Sequence, residues 1–151
     1  SSRHKEGTDV LKFISFFQDN HSLSGKNVLR GLHYQRPPYE QGKLIRVIKG
    51  SVYDVIINLN PKSNYYKRWR AFDLNSMNKN ILWIPEGYAH GYLSLENNTE
   101  ITYKSTTPYN KESSVSISYD DKDLNIEWPS VNMIMSEQDK NAISFKSFQK
   151  I

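Results

Sequence analysis

Short apolar segments, each closed by a turn signal, follow one another through the middle of this chain. That rhythm limits the fold more than any other feature. Leu44 to Ile48 and Val52 to Leu59 flank Lys49-Gly50-Ser51, which reads as the turn of a hairpin. Ile81 to Ile84 stops at Pro85, and Tyr92 to Leu95 stops at Glu96-Asn97-Asn98. Glu100 to Ser105 alternates Ile101 and Tyr103 with polar residues, and Ser114 to Ser118 alternates Val115 and Ile117 with serines. A period of two marks a half-buried strand, and many short strands predict an all-β sandwich or barrel. Residues 8–17 are apolar enough for a short helix or a strand. Clear helix signals come only near the C-terminus, where Ser136-Glu137-Gln138-Asp139 has the pattern of a capping box. No linker-like stretch and no repeat divides the chain, so residues 1–151 are expected to form one domain.

Composition removes several function classes. The absence of cysteine excludes disulfides, thiolate catalysis and cysteine-ligated zinc. Ten Tyr, six Phe and three Trp can fill a core. The apolar runs are far too short to span a membrane, and Ser1 to Gly7 lacks the apolar core of a signal segment, so a cytoplasmic location is expected. The net charge of +4 is spread thinly, with only Lys67-Arg68-Trp69-Arg70 dense. Nucleic acid needs a longer basic stripe, whereas a mild positive balance suits a small anionic ligand.

Several residues have side chains suited to chemistry, each with a plain structural alternative. His33, in Arg30-Gly31-Leu32-His33, is a base near neutral pH or a histidine hydrogen-bonded in a barrel interior. Lys43 follows ten residues later, a spacing that an antiparallel pairing can bring opposite His33. Pro85-Glu86-Gly87-Tyr88-Ala89-His90 either delivers His90 into a barrel mouth or merely closes a hairpin. A cupin metal site wants two histidines one residue apart, and position 35 is Gln, so His33, His90 and Glu40 make a poor cage. Tyr103 and Tyr109 are possible proton donors or packing residues. Asp139 is a carboxylate partner or the third residue of the helix cap, and Gln18-Asp19-Asn20-His21 suits sugar hydroxyls or a polar turn.

Together these segments resemble the dTDP-4-dehydrorhamnose 3,5-epimerases, a family of the cupin superfamily. The resemblance rests on FFQDNHS (16–22), NVLRGLHYQ (27–35), QGKLIRVIKGSVYDVIINL (41–59), LWIPEGYAHGYL (82–93), TYKSTTPY (102–109) and Trp128-Pro129 with Met135 to Asp139. It implies a cupin-type jelly roll with a short C-terminal helix. It implies a cofactor-independent isomerase, without metal, that epimerises dTDP-4-dehydro-6-deoxy-D-glucose at C3 and C5 in polysaccharide-precursor synthesis, the alternatives being a C3-only epimerase or a weakly active sugar-binding cupin. The family's catalytic residues fall on His33 as base, Asp139 as its partner, Tyr103 as opposite-face acid and Lys43 as enolate stabiliser. Its substrate-binding residues fall on Gln18, Asn20, Arg30, His90 and Tyr109. The partners implied are the nucleotide sugar and a second copy in a homodimer, with no nucleic acid and no membrane. Two departures accompany the match: a shorter stretch before Gln18, and SSVSISY at 113–119 where the family commonly has an arginine and a tryptophan.

Overall fold

A computed structural model describes residues 15–151. The expectation of a helix or strand at 8–17 therefore lies outside the described residues, apart from 15–17, which form no regular element. Among the described residues the strands are β1 (Gln18–Ser24), β2 (Leu29–Gln35), β3 (Lys43–Lys49), β4 (Ser51–Asn58), β5 (Trp69–Asn75), β6 (Ile81–Ile84), β7 (Tyr88–Ser94), β8 (Thr99–Ser105) and β9 (Ser114–Ser116). Two short helices follow, α1 (Glu137–Lys140) and α2 (Phe145–Gln149). The strands form a four-stranded sheet in the order β1-β8-β3-β6 and a five-stranded sheet in the order β5-β4-β7-β2-β9. Every paired strand is antiparallel. This is the all-β, cupin-like jelly-roll sandwich that the strand rhythm and the resemblance predict.

The two faces of the five-stranded sheet are buried differently. Val52, Ile56, Leu74 and Tyr92 meet Ile45, Val47, Ile84 and Ile101 of the four-stranded sheet, forming the core between the layers. Val55, Ile57, Leu32 and Ala89 point the other way and are covered by Ile117, Leu124 and Phe145. Burial on both faces explains why β4 reads as an apolar run rather than as strict alternation.

Two pairings inferred from spacing are corrected. β3 and β4 do not form a hairpin: β3 pairs with β6 and β8, and β4 with β5 and β7. At Gly50 (φ +83°) the chain crosses from one sheet to the other, and a Cβ there would collide with Thr99. Lys-Gly-Ser suits either kind of corner, and partners distant in sequence decide between them. His33 and Lys43 likewise lie in different sheets and are not ladder partners.

The local feature that shapes the interior is a bulge in β2. Arg30 pairs with Tyr92, but His33 pairs with His90, so β2 spends three steps where β7 spends two. In a regular strand, residues three apart face opposite sides. The extra residue lets Arg30 and His33 both line the interior. Gly31 makes this possible: its φ is +129°, and a Cβ would lie 2.6 Å from the Gly91 Cα. Gly31→Ala should therefore lower the unfolding free energy by about 1–3 kcal/mol, measured by urea denaturation. A change below about 0.5 kcal/mol, the range of an ordinary surface substitution, would show that the bulge does not need glycine.

Candidate active site

Two adjoining cavities lie between the sheets. One, of about 350 Å³, is lined by Gln18, Asn20, His33, Lys43, Tyr103 and Tyr109 together with Gln41, Gln138 and the serines of β9. The other, of about 260 Å³, is lined by Asn20, Arg30, His33, Lys43, His90 and Tyr103 together with Ser22 and Tyr92. Asn20, His33, Lys43 and Tyr103 border both. Of the nine residues to which the resemblance assigns a role, only Asp139 lines neither cavity, because it stands behind His33.

The His33–Asp139 pair bridges 106 positions of sequence. His33 Nε2 donates to Asp139 Oδ1 at 2.8 Å, which leaves Nδ1 as the basic nitrogen of the ring. The Gly31 N–H donates to Asp139 Oδ2 at 3.1 Å. Asp139 arrives there because the chain docks beside β2: Leu29 N–H donates to Ile134 O, and Ile134 N–H donates to Asn27 O. Ser136 then caps α1 by accepting from the Asp139 N–H at 3.2 Å. Only that half of the capping box forms, since the Asp139 carboxylate is committed to His33 and Gly31. Burial works against ionisation of Asp139. The hydrogen bond and charge of His33, with Gly31 N–H and Ser136, outweigh it and hold the carboxyl below its ordinary value.

A second imidazole–carboxylate pair lies deeper. His90 Nε2 donates to Asp54 Oδ2 at 2.8 Å, and Asp54 is fully buried. Burial pushes His90 below its ordinary pKa, and the charges of Lys43 and His33 push it the same way against the pull of Asp54. Burial also pulls Lys43 down to about 8, opposed by the charge of Asp54. The Lys43 Nζ stands 5.8 Å from the centre of the Tyr103 ring. Burial raises the Tyr103 phenol, with Tyr92 adding to the rise and Arg30 opposing it, so Tyr103 remains a proton donor at neutral pH. Of the two readings of Gln18–His21, the polar turn is not formed: the segment is strand. Gln18 Nε2 donates to Asn20 Oδ1 at 2.9 Å, and Gln18 Oε1 accepts from the Tyr109 N–H at 3.0 Å.

The sequence pattern of one family, dTDP-4-dehydrorhamnose 3,5-epimerase, matches residues 3–147. The dTDP-4-dehydrorhamnose 3,5-epimerase of Shigella flexneri is 46% identical over 136 residues, covering 90% of this chain and 75% of that protein. The crystal structure of the Elizabethkingia anophelis dTDP-4-dehydrorhamnose 3,5-epimerase superposes with a TM-score of 0.89 at 37% identity, covering 95% of this chain and 80% of that one. A Legionella pneumophila 3,5-epimerase in complex with dTDP-4-keto-L-rhamnose superposes with a TM-score of 0.87 at 39% identity, covering 94% and 76%. The chain belongs to the dTDP-4-dehydrorhamnose 3,5-epimerase family. It is thereby a member of a family of enzymes.

Within this family member, one residue of the site was passed over in the sequence and a second was read only as a missing metal ligand. Asp54 had a signal: a carboxylate at an inward position between Val52 and Ile56 in an otherwise apolar strand. Gln35 gave none by type. Its amide donates to Tyr39 O at 2.8 Å and Pro108 O at 3.3 Å and accepts from the Asn110 N–H at 2.8 Å, tying the two loops at the cavity mouth. Among the described residues no cluster of three or more His, Asp or Glu could hold a metal ion, and Glu40 joins neither histidine. No helix among them is long and apolar enough to cross a membrane.

Lys43 gives a stability test. Its folded pKa of about 8 lies below its ordinary value of 10.5. Between those values the unfolded chain binds more protons than the folded one, so stability contributed through this group rises with pH across that window. Below about pH 8 both states are protonated and the cost of burying the ammonium is fully present. The unfolding free energy of the wild type should therefore climb between pH 8 and 10.5 relative to Lys43→Met in parallel denaturant titrations. Parallel curves for the two proteins would contradict the depressed pKa.

Proposed function

We propose that the chain epimerises dTDP-4-dehydro-6-deoxy-D-glucose at C3 and C5, giving dTDP-4-dehydro-L-rhamnose for cell-surface polysaccharide synthesis. The observation that carries this reading is the placement of base and acid on opposite sheets. His33 comes from the five-stranded sheet, whereas Tyr103 and Lys43 come from the four-stranded sheet, and all three border the same cavities. A ring held between them meets a base on one face and a phenol on the other.

The chemistry follows from these positions. His33 removes a proton beside the 4-keto group, and the C–H electron pair moves onto the carbonyl oxygen. Asp139 holds the ring orientation and supports the imidazolium that forms. The barrier lies in the negative charge on that oxygen, so a fixed cation is the strongest lever. Lys43 supplies it, with His90 beside it, and the Asp54 charge favours the protonated ammonium. Tyr103 returns a proton to the opposite face, which inverts the carbon, and repetition at the second carbon on the other side of the carbonyl completes the reaction. Gln18, Asn20, Arg30 and Tyr109 hold the sugar and the nucleotide. In this reading no metal or redox cofactor takes part, residues 1–151 act as one domain, the working unit is a homodimer, and the location is cytoplasmic.

Incubation with the 4-keto sugar nucleotide in deuterated water tests the proposal. Deuterium should appear at both C3 and C5 by NMR. Label at C3 alone would restrict the activity to one carbon, and no label from folded protein would reject it. His33→Ala should lower exchange by about 10²–10⁴-fold, the range of general acid–base assistance, with circular dichroism unchanged. Tyr103→Phe should slow inversion more than the initial proton loss, and equal losses would remove Tyr103 from the acid's role.

A further inference from the structure

One side chain at the cavity mouth is taken up by the protein itself. Gln35 ends β2 two residues beyond His33 and lines the cavity of about 350 Å³, with only 5% of its surface exposed. Its Nε2 donates to Tyr39 O at 2.8 Å and to Pro108 O at 3.3 Å, so both amide hydrogens go to backbone carbonyls. Its Oε1 accepts from the Asn110 N–H at 2.8 Å. Two carbonyls on one side and an N–H on the other fix the orientation of the amide, because a flipped group would set oxygen against oxygen. No hydrogen of Gln35 remains to donate to a ligand. Gln35 can therefore act on the site only through what it holds.

What it holds is the segment that carries Tyr109. Residues 106–113, between β8 and β9, contain no helix or strand, so their course depends on tethers from elsewhere. Gln35 grips this segment on either side of Tyr109, at Pro108 O and at the Asn110 N–H. The N–H of Tyr109 itself donates to Gln18 Oε1 at 3.0 Å. Gln18 belongs to the four-stranded sheet and Gln35 to the five-stranded sheet, so the segment is pinned to both layers. Through Tyr39 O the same amide also ties down the 36–42 loop, whose Gln41 Nε2 donates to Thr107 O at 2.8 Å. The backbone is thus held at three consecutive residues, while Tyr109 stays 59% exposed and borders the cavity. A side chain on a fixed backbone loses less freedom when a ligand settles against it. None of the Gln35 bonds reaches His33, Lys43 or Tyr103. We propose that Gln35 is a positioning residue that presets Tyr109 at the cavity mouth, and that it thereby governs affinity for the nucleotide sugar rather than the rate of proton transfer. The proposal rests on the epimerase reading for the nature of the ligand and for its contact with Tyr109.

Calorimetric titration of thymidine diphosphate into the wild type, Gln35→Leu, Tyr109→Ala and the double variant tests it, with circular dichroism as the check on folding. Gln35→Leu should weaken binding by about tenfold, the net worth of two hydrogen bonds. In the Tyr109→Ala background the same change should cost less than about twofold, because residues that act through one another are not additive. In steady-state assays, Gln35→Leu should raise the KM for the 4-keto sugar nucleotide by about tenfold and leave kcat within about twofold. Gln35→Glu preserves the shape and covers the case in which the leucine variant fails to fold. Its carboxylate sets oxygen against the two carbonyls, whereas its neutral acid can donate to one of them. Burial raises the pKa of a carboxyl, so the ratio of wild-type to Gln35→Glu affinity should narrow as the pH falls from about 8 to about 5.5. Equal losses from Gln35→Leu with and without the Tyr109 ring would overturn the proposal. So would a fall in kcat at constant KM, or an affinity ratio for Gln35→Glu that stays flat with pH. Wild-type protein that binds thymidine diphosphate but exchanges no deuterium would sink the epimerase reading and leave this one standing. Failure of the wild type to bind the diphosphate would overturn this one.

Discussion

A single carboxylate, that of Asp139, holds the centre of the molecule together. One oxygen accepts from the Gly31 N–H inside the β2 bulge, and the other accepts from His33. The bulge brings His33 to the same face as Arg30, and the bond to Nε2 then fixes which ring nitrogen is basic. Backbone shape and side-chain chemistry are thus set by the same group. The carboxylate is itself delivered by the docking of Ile134 beside β2 and by the Ser136 cap of a four-residue helix. A helix that short has little stability of its own, so its position depends on this docking.

The two imidazole–carboxylate pairs look alike but have different surroundings. His33 stands 44% exposed by its side chain, while His90 stands 9% exposed. The buried ring of His90 sits between Asp54 and Lys43, and burial favours its neutral form. Asp54 offsets part of the cost of burying Lys43 and keeps its ammonium available at neutral pH. The four-stranded sheet thus carries the cation and the phenol, and the five-stranded sheet carries the His33 imidazole proposed as base.

The strand rhythm was legible because side-chain period and turn residues are local properties. Ile81–Ile84 ends at Pro85 as read, and Ser136 caps its helix as read. β1, β2 and β5 were less visible because their inward positions are largely polar or mixed. Gln18, Asn20 and Ser22 line cavities rather than core, so the apolar signal is missing where the site is built. The proposed catalytic set was suggested by resemblance, not by residue type. On spacing alone a packed interior was the better reading of His33, Asp54 passed unnoticed, and Gln35 was read only as a missing metal ligand.

The sequence by itself determined an all-β chain, the positions of most turns, the absence of thiol chemistry and the family to which the segments belong. Tertiary structure decided which strands share a sheet, so that Lys49-Gly50-Ser51 became a crossing between layers rather than a hairpin. It also decided that His33 meets Asp139 across 106 positions and faces Tyr103 from the opposite sheet. The physical reason is range. Strand period and turn chemistry act over a few neighbouring residues, whereas strand pairing and proton-transfer geometry depend on contacts between segments that only packing brings together.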